Sequence, residues 1–148
     1  MPIDLAILGF SSPGLIEWAI LIIRLFFGLC FVIHGLGKLG IVGSGNMQGF
    51  TSWLKSLNFP YPALQARLAM LSELVGGSFL IMGFLTRPTC IVLTFTMVIA
   101  GLIGHKGAGY LITNNPPGGE YTLNLGAVLV ALFMLGPGKY SLDNLLFM

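Results

Sequence analysis

Seven side chains able to do chemistry sit at one set of ends of four apolar segments: His34 and Lys38, Arg67, His105 and Lys106, and Glu120 with Tyr121. If each segment crosses a membrane as a helix, these groups meet on one face although they come from four helices. Three cations against one carboxylate leave the set cationic and rich in hydrogen-bond donors. Such a pocket suits a small oxyanion or the polar head of a quinone, with His34 or His105 exchanging a proton near neutral pH. For Arg67 and Lys106 a plainer reading stands beside this one, in which they reach out to lipid phosphates. A metal or haem between His34 and His105 would lack a carboxylate or Cys at ligand spacing, so no metal site is expected.

Deeper charges call for a second account. Glu17, Arg24 and Glu73 interrupt apolar runs, and a charge near the bilayer centre costs about 2.5–3.5 kcal/mol on insertion scales. Glu17, Arg24, Phe31 and Lys38 recur every seven residues, so each is turned only about 20° from the last around a helix. That stripe must face other helices rather than lipid. Counting about 1.5 Å per residue from the common face places Arg24 about 20 Å deep and Glu73 about 15 Å deep. An Arg24–Glu73 ion pair is therefore expected, serving either helix register alone or a proton or ligand role. At the opposite face Arg87 and Asp143 both lie outside the hydrocarbon, and a structural clasp between them is expected.

The elements that hold these groups follow from composition. Apolar residues make up 55% of the chain and charged residues 8%, against about a quarter in a soluble domain. A net charge of +2 is too small to imply nucleic acid. The expected fold is all-α: a polytopic membrane protein, one domain over 1–148, forming an up-down bundle of four transmembrane helices. The spans are 15–38, 63–84, 88–105 and 120–135, each near the 20 or so helical residues that cross a bilayer. Both termini share a side with the Arg87 turn.

Between the first two spans, Met47, Phe50, Trp53, Leu54 and Leu57 recur at helical spacing, with Ser44 or Asn46 able to cap the start. A short amphipathic helix over 46–57 is expected to lie in the membrane interface; the alternative is a re-entrant or core-packed lid. Small residues such as Ser72, Gly76, Gly77, Ala100 and Gly104 mark places where helices can approach closely. Cys30 and Cys90 stand alone in separate apolar segments and read as buried small apolar residues. No basic residue precedes Arg24 and no small-residue cleavage site follows, so no cleaved signal peptide is expected. Lys38, Lys55, Arg67 and Lys106 on one face against Arg87 and Lys139 on the other favour the first as cytoplasmic, but several of the four are candidate site residues, so the count does not fix the orientation.

Taken in order, the motifs resemble the DoxX family of small four-helix membrane proteins. They are Arg24-Leu25 through Gly28 to His34-Gly35-Leu36-Gly37-Lys38-Leu39, then Glu73-Leu74-Val75-Gly76-Gly77 and Gly83-Phe84-Leu85-Thr86-Arg87. His105, Gly119-Glu120-Tyr121 and Gly136-Pro137-Gly138-Lys139-Tyr140-Ser141-Leu142-Asp143 complete the set. The resemblance implies a multi-pass protein of a bacterial or archaeal cytoplasmic membrane, in a group named for a subunit of a thiosulfate:quinone oxidoreductase. It implies an association with redox chemistry, with the polar pocket holding a quinone head or a small sulfur oxyanion. No redox cofactor motif is evident, and a quinone is the one cofactor the pocket suits. The alternative is a structural accessory subunit docked on a larger respiratory or photosynthetic complex, without catalysis. Expected partners are the lipid bilayer and other membrane subunits or further copies of the chain. A carrier role fits less well, since four spans without an internal repeat offer little machinery for alternating access.

Overall fold

Residues 13–147 are described by the computed structural model, and every regular element among them is helical. The elements are α1 Pro13–Leu39, α2 Met47–Ser56, α3 Pro62–Met82, α4 Thr86–Ile99, α5 Glu120–Leu135 and α6 Leu142–Phe147. After Ile99 the α4 helix continues as a π-helical stretch, Ala100–Gly104. Gly and Pro set the helix bounds. Gly40 closes α1 and Gly83 closes α3 in the left-handed region, at φ 79° and 64°, where a Cβ is costly. Pro62 opens α3, where its missing N–H would have had no partner. Helix α6 has no counterpart among the expected elements, since six residues are too few for a 3.6-residue period to show. The expectation of no cleaved signal rests largely on residues 1–12, which lie outside the described residues.

Among the described residues, three helices are long and apolar enough to cross a membrane: Gly14–Leu39, Pro62–Met82 and Thr86–Gly104, with mean hydropathies of 2.3, 1.2 and 1.6. Helix α5 is apolar but has 16 residues, a rise of about 24 Å. The outward surfaces carry large bare side chains, among them Phe26, Phe95, Leu102 and Met134, each at least 66% exposed. A surface this apolar suits lipid rather than water.

Sequence neighbours pack antiparallel. Gly28 lies against Gly77 and Ile81, and Gly35 against Leu74, so α1 and α3 approach to backbone contact. Ser72 shares a hydrogen bond with Thr96 at 3.0 Å across α3 and α4, and Gly76 makes room for Leu93. Gly101 faces Thr122 while Gly126 faces Met97, which aligns α4 with α5. Inside the bundle, Ile20, Phe31, Leu80, Cys90, Leu93, Met97, Leu125, Leu129 and Leu132 form the core.

The α1–α3 seam is the tightest of these contacts and makes a sharp prediction. A methyl at Gly77 would lie 2.7 Å from the Gly28 carbonyl oxygen and 2.8 Å from the Val32 nitrogen. Both are backbone atoms and cannot rotate away. Gly77→Ala should cost roughly 1–3 kcal/mol, the usual range for overpacking. Gly126→Ala, whose methyl meets its nearest neighbour at 3.9 Å, should be neutral or mildly stabilising. Unfolding titrations in detergent check the pair, and equal midpoints would contradict the close approach.

At the termini end, the first turns of α1 run past the end of α3 and meet the chain after α5. The Glu17 carboxylate accepts from the Lys139 N–H, and Trp18 packs on Tyr140 with ring centroids 4.8 Å apart.

Candidate functional site

An ion pair between Lys38 Nζ and Glu73 Oε2 joins the last turn of α1 to the middle of α3. Only 7% of the Glu73 side chain and 18% of the Lys38 side chain are exposed, so the pair is largely removed from water. The Lys38 ammonium also lies 5.2 Å from the centroid of the Phe50 ring on α2, a cation–π distance. This corrects the expected Arg24–Glu73 pair. With Gly35 beside Leu74 and Gly28 beside Gly77, Glu73 is level with the end of α1, not with Arg24. The eleven residues from Arg24 to Gly35 separate the two levels by about 16 Å. The error came from starting both helices in one plane, whereas the first turns of α3 project beyond Leu39 towards α2.

Arg24 has a different set of partners. It is 1% exposed and donates through Nη1 to the Pro137 carbonyl and through Nη2 to the Tyr140 carbonyl at 2.6 Å. The segment after α5 thus supplies acceptors where a carboxylate was expected. The second expected pair is also replaced. Asp143 accepts from the N–H groups of Leu85 and Thr86, at 2.7 and 2.8 Å, and so caps the start of α4. Arg87 Nε donates to the Phe133 carbonyl in the last turn of α5. Each charge finds the helix end of opposite polarity instead of the other charge.

One turn before Lys38, His34 Nε2 lies 2.8 Å from the Tyr121 hydroxyl on α5. The same hydroxyl lies 2.6 Å from the Cys30 thiol, one turn earlier still. Cys30, His34 and Lys38 therefore form a polar stripe on α1, spaced by four residues, with Tyr121 bonded to two of them. Cys30 is corrected from the small apolar residue expected: it is half-buried and hydrogen-bonded. Cys90 is fully buried, and both thiols are free. The Tyr121 hydroxyl can accept from Cys30 while donating to a neutral His34, or reverse both bonds when His34 holds the proton.

His34 and Lys38 open onto a groove of about 610 Å³, walled further by Ile33, Asn46, Phe50 and Trp53. Helix α2 forms its far side. Asn46 Oδ1 accepts from Gly49 N–H at 2.7 Å to cap that helix, and buried Leu54 anchors it on the bundle. Tyr121 itself walls a second cavity of about 260 Å³ between α1 and α5, with Phe27, Glu120, Asn124, Leu125 and Val128.

The expected set is thus divided. His34, Lys38 and Tyr121 belong to one connected neighbourhood, and Glu120 reaches only the second cavity. Its carboxylate accepts from Ile112 N–H at 3.0 Å and braces the loop before α5. His105 Nδ1 pairs with the Pro117 carbonyl at 2.7 Å and braces the same loop. Arg67 is exposed on the part of α3 that projects beyond α1, and it lines neither cavity. Lys106 is exposed as well. Glu73, Cys30, Phe50 and Trp53 are site residues the sequence reading left out of the pocket. The four-residue spacing of Cys30, His34 and Lys38 was the available signal for Cys30.

Among known proteins, the DoxX family model matches residues 19–106. An Escherichia coli protein described as inner membrane protein YphA is 28% identical over 139 residues, covering 92% of this chain and 93% of its own. The E. coli inner membrane protein YqjF is 28% identical over 127 residues, covering 86% and 91%. A Haemophilus influenzae protein described as uncharacterized is 31% identical over 134 residues, covering 86% and 83%. No solved structure matches.

Proposed function

We propose that this chain, which belongs to the DoxX family of membrane proteins, is a redox-associated four-span protein whose α1–α2 groove binds a quinone head. The reading places it in a bacterial or archaeal cytoplasmic membrane, with α5 as the fourth span and α2 lying in the interface. The observation that carries it is the Lys38–Glu73 ion pair beside the His34–Tyr121 hydrogen bond at the groove. Glu73 neutralises Lys38, so an oxyanion gains little charge attraction there and must displace a carboxylate to gain more. A neutral ring carrying carbonyl oxygens asks only for hydrogen bonds beside apolar walls, which His34, Phe50 and Trp53 offer. A bound quinone supplies the electron chemistry. The chain's own groups orient its head and, at His34 Nε2 or Tyr121 Oη, hold a proton beside it.

Support for the membrane placement comes from the same elements. Helix α5 packs antiparallel on α4 and reaches α1 through Tyr121, which seats it beside the three longer apolar helices. On α2 Leu54 is buried and Phe50 half-buried, Trp53 keeps 41% of its surface exposed beside the groove, and Gln48, Ser52 and Lys55 are exposed. In a Trp18→Phe background, Trp53 emission should be quenched by lipid-phase quenchers. Water-like emission untouched by them would remove α2 from the interface.

Binding is tested with the protein in lipid nanodiscs and a short-chain benzoquinone, followed by quenching of Trp53. Saturable binding is expected, and His34→Ala should weaken it about tenfold, the worth of one good hydrogen bond. Arg67→Gln should leave it unchanged, and thiosulfate or sulfate should not compete. No saturable quenching, or equal affinity in His34→Ala, would overturn the reading. The exposed apolar side chains lie on every long helix, as lipid contact requires.

A further inference from the structure

The cavity between α1 and α5 is not used by a head group seated in the groove, yet it shares a wall with it. The ring of Tyr121 lines that cavity, while its hydroxyl touches His34, which lines the groove. We infer that the cavity takes the hydrocarbon tail of the same ligand, so that the molecule bound is a ring head carrying a single long chain. This rests on the reading of the groove as the head site.

Direction supports it. Glu120, Asn124 and Val128 follow one another at four-residue spacing down α5, a furrow about 12 Å long. Its loop end is polar: Glu120 is held by Ile112 N–H, and Asn124 lies within reach of the Tyr110 hydroxyl. Farther in, Phe27, Leu125 and Val128 supply only hydrocarbon. Phe27 is two turns deeper on α1 than His34, so a head at His34 points its tail towards the membrane centre, as lipids lie. Size decides between occupants. A furrow of about 260 Å³ admits one chain, whereas a packed helix, about 10 Å across, does not fit. Helix α1 packs far more extensively on α3 than on α5, which leaves this seam as the sideways entry from lipid. The His34–Tyr121 hydrogen bond links a residue of the groove to a residue of the furrow, so a head group that takes the place of either partner at that bond sits where the two meet.

The test compares two ligands with one benzoquinone head, bearing either a methyl or a decyl substituent, on the protein in nanodiscs. Quenching of Trp53 reads binding, with empty nanodiscs correcting for partition into lipid. The decyl compound should bind roughly tenfold or more tightly, since each buried methylene contributes a few-fold. Val128→Phe should abolish that gain and leave the methyl compound unchanged. A diazirine on the chain should label the α1 segment around Phe27 or the α5 segment around Val128, which answers the question even where the variant unfolds. Equal affinity for both compounds with label elsewhere overturns the tail site while the head site stands. Binding of neither compound removes both.

Discussion

Replacing Glu73 with Ala is expected to cost about 3–5 kcal/mol, because it leaves the Lys38 ammonium largely buried without its carboxylate. The Phe50 ring offers only a weak substitute: a cation–π contact contributes about 0.5–2 kcal/mol, depending on its exposure to water. The double change Lys38→Met with Glu73→Leu should cost much less, since it replaces the pair with apolar groups of similar length and strands nothing. Unfolding midpoints in detergent for the wild type, the single variant and the double variant measure the coupling. Equal losses in the single and double variants would mean that the pair is solvated in the membrane-bound protein. The groove would then be open to water rather than to hydrocarbon, and the argument for a neutral head group would go with it.

The same pair shows where sequence reading ends. The long helices were legible because a chain in lipid must satisfy its own backbone, which ties apolar runs to helices, and because Gly40, Pro62, Gly83 and Gly136 punctuate them. Helix α2 was legible from its aromatic face and from Asn46. What sequence could not supply was the vertical offset of α3 against α1. Residues 40–61 form a connection with a helix of its own, and nothing in it dictates the level at which α3 begins. A slip of about three turns decides whether Glu73 faces Arg24 or Lys38. Rules that pair opposite charges also overlook helix ends as partners. Asp143 and Arg87 are both satisfied by backbone groups that no pattern of side chains announces.

Arg24 is likewise held by backbone carbonyls. Its guanidinium lies against Gly83, where any side chain would collide with it, and bridges the carbonyls of Pro137 and Tyr140. The fork therefore ties the middle of α1 to the end of α3 and to the segment that carries α6. Arg24→Leu removes the charge rather than stranding it, but orphans two carbonyls at roughly 1–3 kcal/mol each. Arg24→Lys should rescue little, because one ammonium on a flexible stem does not reproduce the spread of the two Nη donors. The expected consequence is local: the segment from Gly136 to Ser141 loosens while the α1–α3 seam at Gly28 and Gly77 stays packed. Lys139 is exposed in that segment, with its N–H held by Glu17, so trypsin cleavage after it reports the loosening directly. Cleavage should be much faster in Arg24→Leu than in wild type, and nearly as fast in Arg24→Lys. Wild-type resistance in both variants would show that α6 is held by Asp143 and packing, with the buried guanidinium serving only to fill its site.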